Sequence, residues 1–573
     1  MTKKREGGAF LSAVFDGFPC LDTARRLGGT HSAERMVNFR PDADGSLRKR
    51  CGYESILAMP KAPRAVYAGY FSGEEVFYFL SGSTVFRQSD DDEYGYVYAG
   101  KVATLTGDAA FSEFAGRLWL LDGDDIYVLT DGVFTPPEGY IPLYARNWDP
   151  LLRGEVYEAE NLLTPRVRFH FKNTEKRDTV YFGRRVVSIH RVFLDGVEVA
   201  KTDVELLATG GACMAESFIA ASEIELVVTL DVKDRRGEVS SCRRAIAYGG
   251  ARDNRLITWD GTDGSAFCVS SPVSLSDAAL SDEWGGGGGG ALYFPIGAED
   301  YRVDAPLTAV CRYFDRLLLF TASGAWAADC SESTELLVTP VHSTVGCDKK
   351  DCAALCGNSP VTYFGGKLWK WTARTSTQRE CSAEVLSAPV AALTAEMREG
   401  TVLMCYYGDL SELWIARAND ADGRVLIYNT VTEGFYTFEG VPADRFVRSG
   451  GAPMLLLREE LYAFRDTLKK DCGEREIAAF YRSAWIDFGH PERTKHLLGF
   501  SFTGDPDDGR ITVRLEGERG HCAAFDLFGK SGETPNLYDR RAAVGRFRYL
   551  RVSLEADGTS SPTLVGITLT ARK

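Results

Sequence analysis

The chain has little histidine, no long apolar run and no excess of positive charge. Seven histidines among 573 residues leave few imidazoles for acid–base or metal chemistry. No Gly-x-Ser-x-Gly elbow is present to carry a serine nucleophile. No stretch approaches the 18 apolar residues that a membrane-spanning helix needs. The net charge of −14 argues against wrapping nucleic acid, which requires a basic surface to displace counterions. It remains compatible with a wall past which DNA slides without sticking. Long helical periodicity is also missing, and the best helix candidates are short, at 348–356 and 277–283. Lys3, Lys4 and Arg5 precede an apolar stretch, but Asp16 interrupts it and no small-residue cleavage pattern follows. Without an export signal, the 14 cysteines are expected to be reduced and mostly buried.

What is abundant is turn and strand. Glycine numbers 58 and aromatics reach 12%, a composition that suits many short strands joined by tight turns. One pattern recurs: a turn, an apolar strand, another turn and a second strand. Its clearest copies are Phe114-Ala-Gly-Arg-Leu-Trp-Leu-Leu-Asp-Gly123, Tyr313-Phe-Asp-Arg-Leu-Leu-Leu-Phe-Thr-Ala-Ser-Gly324 and Tyr363-Phe-Gly-Gly-Lys-Leu-Trp-Lys-Trp371. Looser copies begin at Tyr70, Tyr248, Tyr407 and Ser449. Adjacent copies are often about 40–50 residues apart, the length of one propeller blade. The fold class read from this is all-β: a β-propeller of six or seven blades with two β-sandwiches attached.

The organisation follows from where the repeat starts and stops. Residues 1–60 read as an N-terminal arm holding a possible ring-closing strand. In it, 36–39 is a short strand, 41–46 a turn and 47–53 a basic return strand. Blades occupy 61–149 and resume over 241–470. Between them, 150–240 has longer alternating strands; Arg166-Val-Arg-Phe-His-Phe-Lys172 places Val167, Phe169 and Phe171 on one face. That segment reads as an inserted immunoglobulin-like sandwich. Residues 469–480 look like a polar linker, and 481–573 like a jelly-roll-like terminal sandwich. Its strands are expected at 484–488, 496–502, 511–517, 522–527, 546–555 and 563–571.

Sites for chemistry are weak. Cys347, Cys352 and Cys356 lack zinc-finger or ferredoxin spacing. The turns Asp42-Ala-Asp-Gly45, Asp122-Gly-Asp-Asp125 and Asn419-Asp-Ala-Asp-Gly423 lack the distal glutamate of an EF-hand and read as hairpin turns. Neither a cofactor nor a catalytic set is expected, and the chain is not read as an enzyme. Two segments stand out instead. Arg48, Lys49 and Arg50 form the strongest local cationic cluster, a candidate for contact with an acidic surface of a neighbouring subunit. Gly285, Gly286, Gly287, Gly288, Gly289 and Gly290 form a run too costly in backbone entropy to hold a fixed strand, a candidate gate loop. A second reading places Trp326, Trp369, Trp371 and Trp414 at the propeller mouth, stacking on sugars of a receptor or glycan.

Residues 34–53, with Met-Val-Asn-Phe followed by Asp-Gly-Ser-Leu-Arg-Lys-Arg-Cys-Gly-Tyr, resemble the opening of the tail nozzle, or tail tubular, propeller proteins of short-tailed phages. The matching positions are Gly45, Leu47, Lys49, Arg50, Gly52 and Tyr53. Trp485-Ile-Asp-Phe-Gly489, Lys495-His-Leu-Leu-Gly-Phe500 and Gly545-Arg-Phe-Arg-Tyr-Leu-Arg-Val552 are similar to that group's terminal sandwich. Asn161-Leu-Leu-Thr-Pro-Arg166 resembles the opening of inserted domains in phage structural proteins. The resemblance implies a virion tail subunit assembled in the bacterial cytoplasm. It implies a hexameric ring of copies of itself, a portal-side adaptor and tail fibre or spike proteins as neighbours, and DNA as passing cargo.

Overall fold

A computed structural model describes residues 10–573 apart from 26, 28, 138, 152–153, 250–254, 273–291, 330–335, 374–380, 449–451, 508, 530–535, 543 and 559. Among the described residues, seven four-stranded blades form the ring. Blade 1 holds Pro63–Phe71, Glu74–Ser81, Thr84–Gln88 and Tyr96–Lys101; blade 2 holds Ala110–Phe114, Arg117–Leu121, Ile126–Thr130 and Val133–Thr135. Blade 3 runs from Arg244–Tyr248 to Tyr301–Arg302, blade 4 from Leu307–Tyr313 to Leu337–His342, and blade 5 from Ala353–Cys356 to Cys381–Val385. Blade 6 runs from Val402–Tyr407 to Gly434–Phe438. Blade 7 has Arg445–Val447, Met454–Leu457 and Glu460–Arg465 from its own stretch, and its fourth strand is β5, Gly52–Ala58. The N-terminal segment therefore closes the ring.

The repeat signature is a two-residue hairpin turn, with both residues left-handed in several copies and Phe314 alone (φ 53°) in the copy that starts at Tyr313. Ala115 and Gly116 both have positive φ (53° and 69°), as do Ser72-Gly73, Asp131-Gly132 and Gly365-Gly366. Left-handed backbone at both central residues is what a type I′ turn requires, and its twist matches the flanking strands. The tryptophan of the signature then reaches back across the turn. Trp119 Nε1 donates to Phe114 O at 3.0 Å, and Trp369 Nε1 to Phe364 O at 3.1 Å.

The other four N-terminal strands are not an arm. β1 (Phe10–Asp16), β3 (Phe39–Pro41) and β4 (Leu47–Lys49) join one sheet of the terminal sandwich, around Thr563–Arg572 and Lys495–Asp505. β2 (Ala33–Val37) lies between blade 6 and the other sheet: parallel to Gly434–Phe438, antiparallel to Ala479–Ser483. One nine-stranded sheet thus runs from blade 6 through β2 into the sandwich. Its apolar core is continuous with that of blades 4 to 7, from Phe320 and Trp371 to Tyr481, Val552 and Leu569.

Several local expectations are corrected. The strand read over 36–39 breaks at Asn38, whose φ of 56° turns the chain between β2 and β3. The segment 348–356 is a turn leading into an inner strand, Ala353–Cys356, not a helix. The other helix candidate, 277–283, lies outside the described residues. The strand expected at 484–488 is displaced to Ala479–Ser483, and Asn536–Arg541 adds a strand that was not anticipated. The supposed linker folds into a hairpin of Lys470–Asp471 and Arg475–Glu476, with Asp471 buried.

The insertion has its own core. Leu143–Trp148, Arg166–Lys172, Glu223–Leu230, Val186–Leu194 and Val197–Val199 form one sheet; Thr179–Tyr181, Ala212–Met214 and Glu205–Leu206 form the other. Val167, Phe169 and Phe171 all point inward, packed with Trp148, Phe182 and Val228. Asn161 secures its neck: Nδ2 donates to Tyr140 O (2.9 Å) and Leu292 O (3.1 Å), and Oδ1 accepts from the Leu163 and Phe294 amides.

Candidate functional site

The inner strands of blades 1, 2, 5, 6 and 7 line a central cavity of about 1140 Å³, to which blade 3 adds Arg244. The inner strands run in one direction, because their starts touch starts and their ends touch ends. Arg445 donates to Arg64 O (3.0 Å), the Asp351 amide to Thr308 O (2.9 Å) and Cys352 Sγ to Val402 O (3.2 Å) at one mouth. Arg312 donates to Ala247 O (2.7 Å) toward the other. The middle of the wall is apolar and aromatic, with Tyr67, Phe111, Leu355, Met404, Tyr406 and Phe446.

The mouth where the inner strands begin carries a charge lattice. Asp108, just before blade 2, lies 2.7 Å from Lys350, just before blade 5. Lys350 also reaches Asp260 (2.9 Å), while Arg244 of blade 3 pairs with Asp351 (2.7 Å) and Asp108 (3.6 Å). In a ring of seven, blades 2 and 5 are as far apart as two blades can be. The Asp108–Lys350 pair is therefore a chord across the opening. Open space lies on the side of blades 1, 2, 5, 6 and 7, and blade 3 contributes only Arg244 to the wall. The Lys350 hydrogen bond holds the Asp108 carboxyl below its usual range. Burial pulls Lys350 and Arg244 down, but their bonds to Asp108, Asp260 and Asp351 outweigh it and both end raised. Arg445, with Arg244 beside it, is pushed down, chiefly by burial. The arrangement is a net-balanced set of anions and cations that fastens several blades at one mouth. Sequence inspection missed these residues, since they are scattered along the chain. The available signal is positional: each except Asp260 stands at or just before the first residue of an inner strand.

The residues singled out from sequence lie elsewhere. Arg48 faces solvent and pairs with Asp42. Lys49 and Arg50 do not face outward, which corrects their reading as a contact surface for another subunit. Arg50 is 3% exposed and makes a bidentate pair with Asp471 (2.7 and 2.8 Å), itself 2% exposed. Its remaining donors go to Asn38 Oδ1, Cys51 O and Glu439 O. Asn38 in turn donates to Ala478 O and accepts from the Glu439 amide. One guanidinium thus joins the N-terminal segment, the end of blade 6 and the hairpin before the terminal sandwich. Lys49 Nζ donates to Asp557 O (3.1 Å), and burial pushes its pKa down to about 8. Gly52 is required by closeness: a Cβ there would sit 2.0 Å from Lys470 O. Tyr53 closes the seam by donating to Gly440 O (2.9 Å). Gly285 to Gly290 lie outside the described residues.

Of the four tryptophans in the sugar-stacking reading, two are withdrawn from the surface. Trp371 and Trp414 are fully buried and donate to Thr362 Oγ1 and Glu412 Oε2. Trp326 and Trp369 are half-buried, and their indole nitrogens are engaged by Asp304 and Phe364. Cys347, Cys352 and Cys356 are buried as well; the first two give their thiols to backbone carbonyls, and burial pushes Cys347 up to about 12.

No protein-family model matches the chain, and no curated protein matches it. Solved structures do. YCF48 bound to a D1 peptide is 11% identical over 72% of this chain and 96% of that one, with a TM-score of 0.36. The Cps50 (Swd1) β-propeller domain of Myceliophteria thermophila is 9% identical over 72% and 100%, with a TM-score of 0.35. A tailspike protein of bacteriophage CBA120 aligns over only 17% of this chain and 14% of that one, at 14% identity and a TM-score of 0.13. The chain is a β-propeller protein that also carries β-sandwiches.

Proposed function

We propose that this protein is an assembly subunit: a virion tail nozzle or connector component that forms a ring and retains, then conducts, DNA. One observation carries the reading. The residues through which the chain resembles tail propeller proteins are those that build the seam between propeller and terminal sandwich. Asn38, Lys49, Arg50, Gly52 and Tyr53 are bound to blade 6, to the 470–476 hairpin or to the sandwich. A ring subunit that bears load along an axis needs its domains held at a fixed angle. A sheet that crosses the domain border and a buried ion pair beneath it supply that rigidity.

The partners follow from the same reading: copies of the chain, a portal-side adaptor, and fibre or spike proteins. Cyclic closure is the usual symmetry of identical subunits set side by side. Native mass spectrometry of the full chain, alone and mixed with portal-side components, tests this. Closed rings of one stoichiometry are expected; a strict monomer under both conditions overturns it.

A further inference from the structure

We propose that β1 is a self-association edge, through which two copies pair antiparallel about a two-fold axis. β1 hydrogen-bonds on one side only, to Thr563–Arg572, from Phe10↔Arg572 to Asp16↔Gly566. Among the described residues no strand pairs with its other side, and no backbone or side-chain bond reaches it there. A seven-residue strand of this kind presents about 23 Å of unpaired backbone.

Natural sheets protect such edges with charge, proline or brevity. The other outward borders here follow that rule. Asn536–Arg541 carries Asp539, Arg540 and Arg541; Cys522–Phe528 carries Asp526; Leu337–His342 carries Pro340; Val197–Val199 is three residues long and carries Glu198. β1 alone reads Phe-Leu-Ser-Ala-Val-Phe before its terminal aspartate. Its outward side chains include Phe10, 73% exposed, and Val14, 50% exposed. An uncharged, β-prone, exposed edge is a template for another strand.

The occupant that fits is the same strand of a second copy. An antiparallel two-fold centred on Ala13 sets Leu11 against Phe15 and Ser12 against Val14. Apolar inward residues then meet apolar ones, Phe10 faces Asp16, and no charge opposes a like charge within the paired seven. The seven-stranded sheet of each copy would continue into that of the other. The contact is one strand wide, at or below the low end of specific interfaces, so the dimer is reversible rather than permanent. It does not rest on ring formation, and its failure would leave the ring reading standing.

Sedimentation velocity of the full chain over a concentration series tests the pairing, with hydrogen exchange of residues 10–15 as a second readout. A monomer–dimer equilibrium is expected, with β1 amides slowing as concentration rises. S12K/V14K sets lysine against lysine twice across the pair, at two exposed positions and without touching the core. It is expected to weaken the dimer by about tenfold or more, with unchanged thermal unfolding of the monomer. A monomer at every concentration overturns the proposal. So does a dimer that S12K/V14K leaves intact with β1 exchange unaffected by concentration, or open-ended aggregation in place of a closed pair.

Discussion

Two ion-pair systems in this molecule use the same kinds of side chain under opposite conditions. Arg50 and Asp471 are each 2% exposed at the side chain; Asp108 and Lys350 are 50% and 45% exposed. Both pairs join distant parts of the sequence at 2.7 Å. Water separates their meaning. At the channel mouth solvent screens the attraction, so the chord fixes geometry at little energetic gain. At the seam both charges have left water, and each depends on the other and on surrounding carbonyls to offset that cost. The seam therefore makes each charge depend on the other across the border of propeller and sandwich.

The largest test of the contrast is to break the seam on one side. R50A or D471A leaves a buried charge without its partner and is expected to cost about 3–5 kcal/mol in denaturant unfolding. The double replacement R50M/D471L is expected to lose less than either single change. Equal or greater loss in the double variant would contradict the account.

Next in size is the core of the insertion. Phe169 is fully buried among Trp148, Phe171 and Phe182. F169A is expected to destabilise the inserted sandwich by about 3–5 kcal/mol. Because that core is separate, proteolysis should cut within 143–230 first and leave the propeller intact.

The seam also predicts a pH dependence. Lys49 is depressed by burial to about 8, and burial lowers Lys495 too. A lysine whose folded pKa lies below its unfolded value binds fewer protons when folded, so stability rises with pH between the two values. For Lys49 the window runs from about 8 to the ordinary lysine range near 10.5. Chemical denaturation across that window should show the rise, and K49M should flatten it.

The smallest effect belongs to the chord. D108N or K350M is expected to change stability by about 1 kcal/mol or less. Wild type and variant should converge as salt rises, because exposed pairs are screened. A larger, salt-independent loss would mean that the mouth lattice behaves as a buried network.

The blades were legible because tight turns leave local marks. Glycine or aspartate at positive φ, followed by an apolar run and a tryptophan, is a signature within ten residues. The insertion was legible for a similar reason, since alternation in 166–172 is set by one strand with one buried face. The seam was visible only as a basic cluster. Sequence places Arg48, Lys49 and Arg50 together, but Arg48 pairs locally with Asp42 while Lys49 and Arg50 meet partners more than 380 residues away, such as Asp557, Asp471 and Glu439. The same distance hides the channel lattice, in which Asp108 meets Lys350 across 242 positions. Asn38 reads as an ordinary strand residue in sequence because its left-handed turn is held by Thr437 and Glu439 of blade 6's end and by the Ala478 carbonyl, not by its neighbours.

The central claim is that the N-terminal segment makes propeller and terminal sandwich a single mechanical unit. Differential scanning calorimetry of the full chain beside R50A tests it most directly. The account predicts that propeller and sandwich melt together in the wild type, apart from the insertion, and that R50A splits that shared transition in two. Separate melting of propeller and sandwich in the wild-type protein would contradict it.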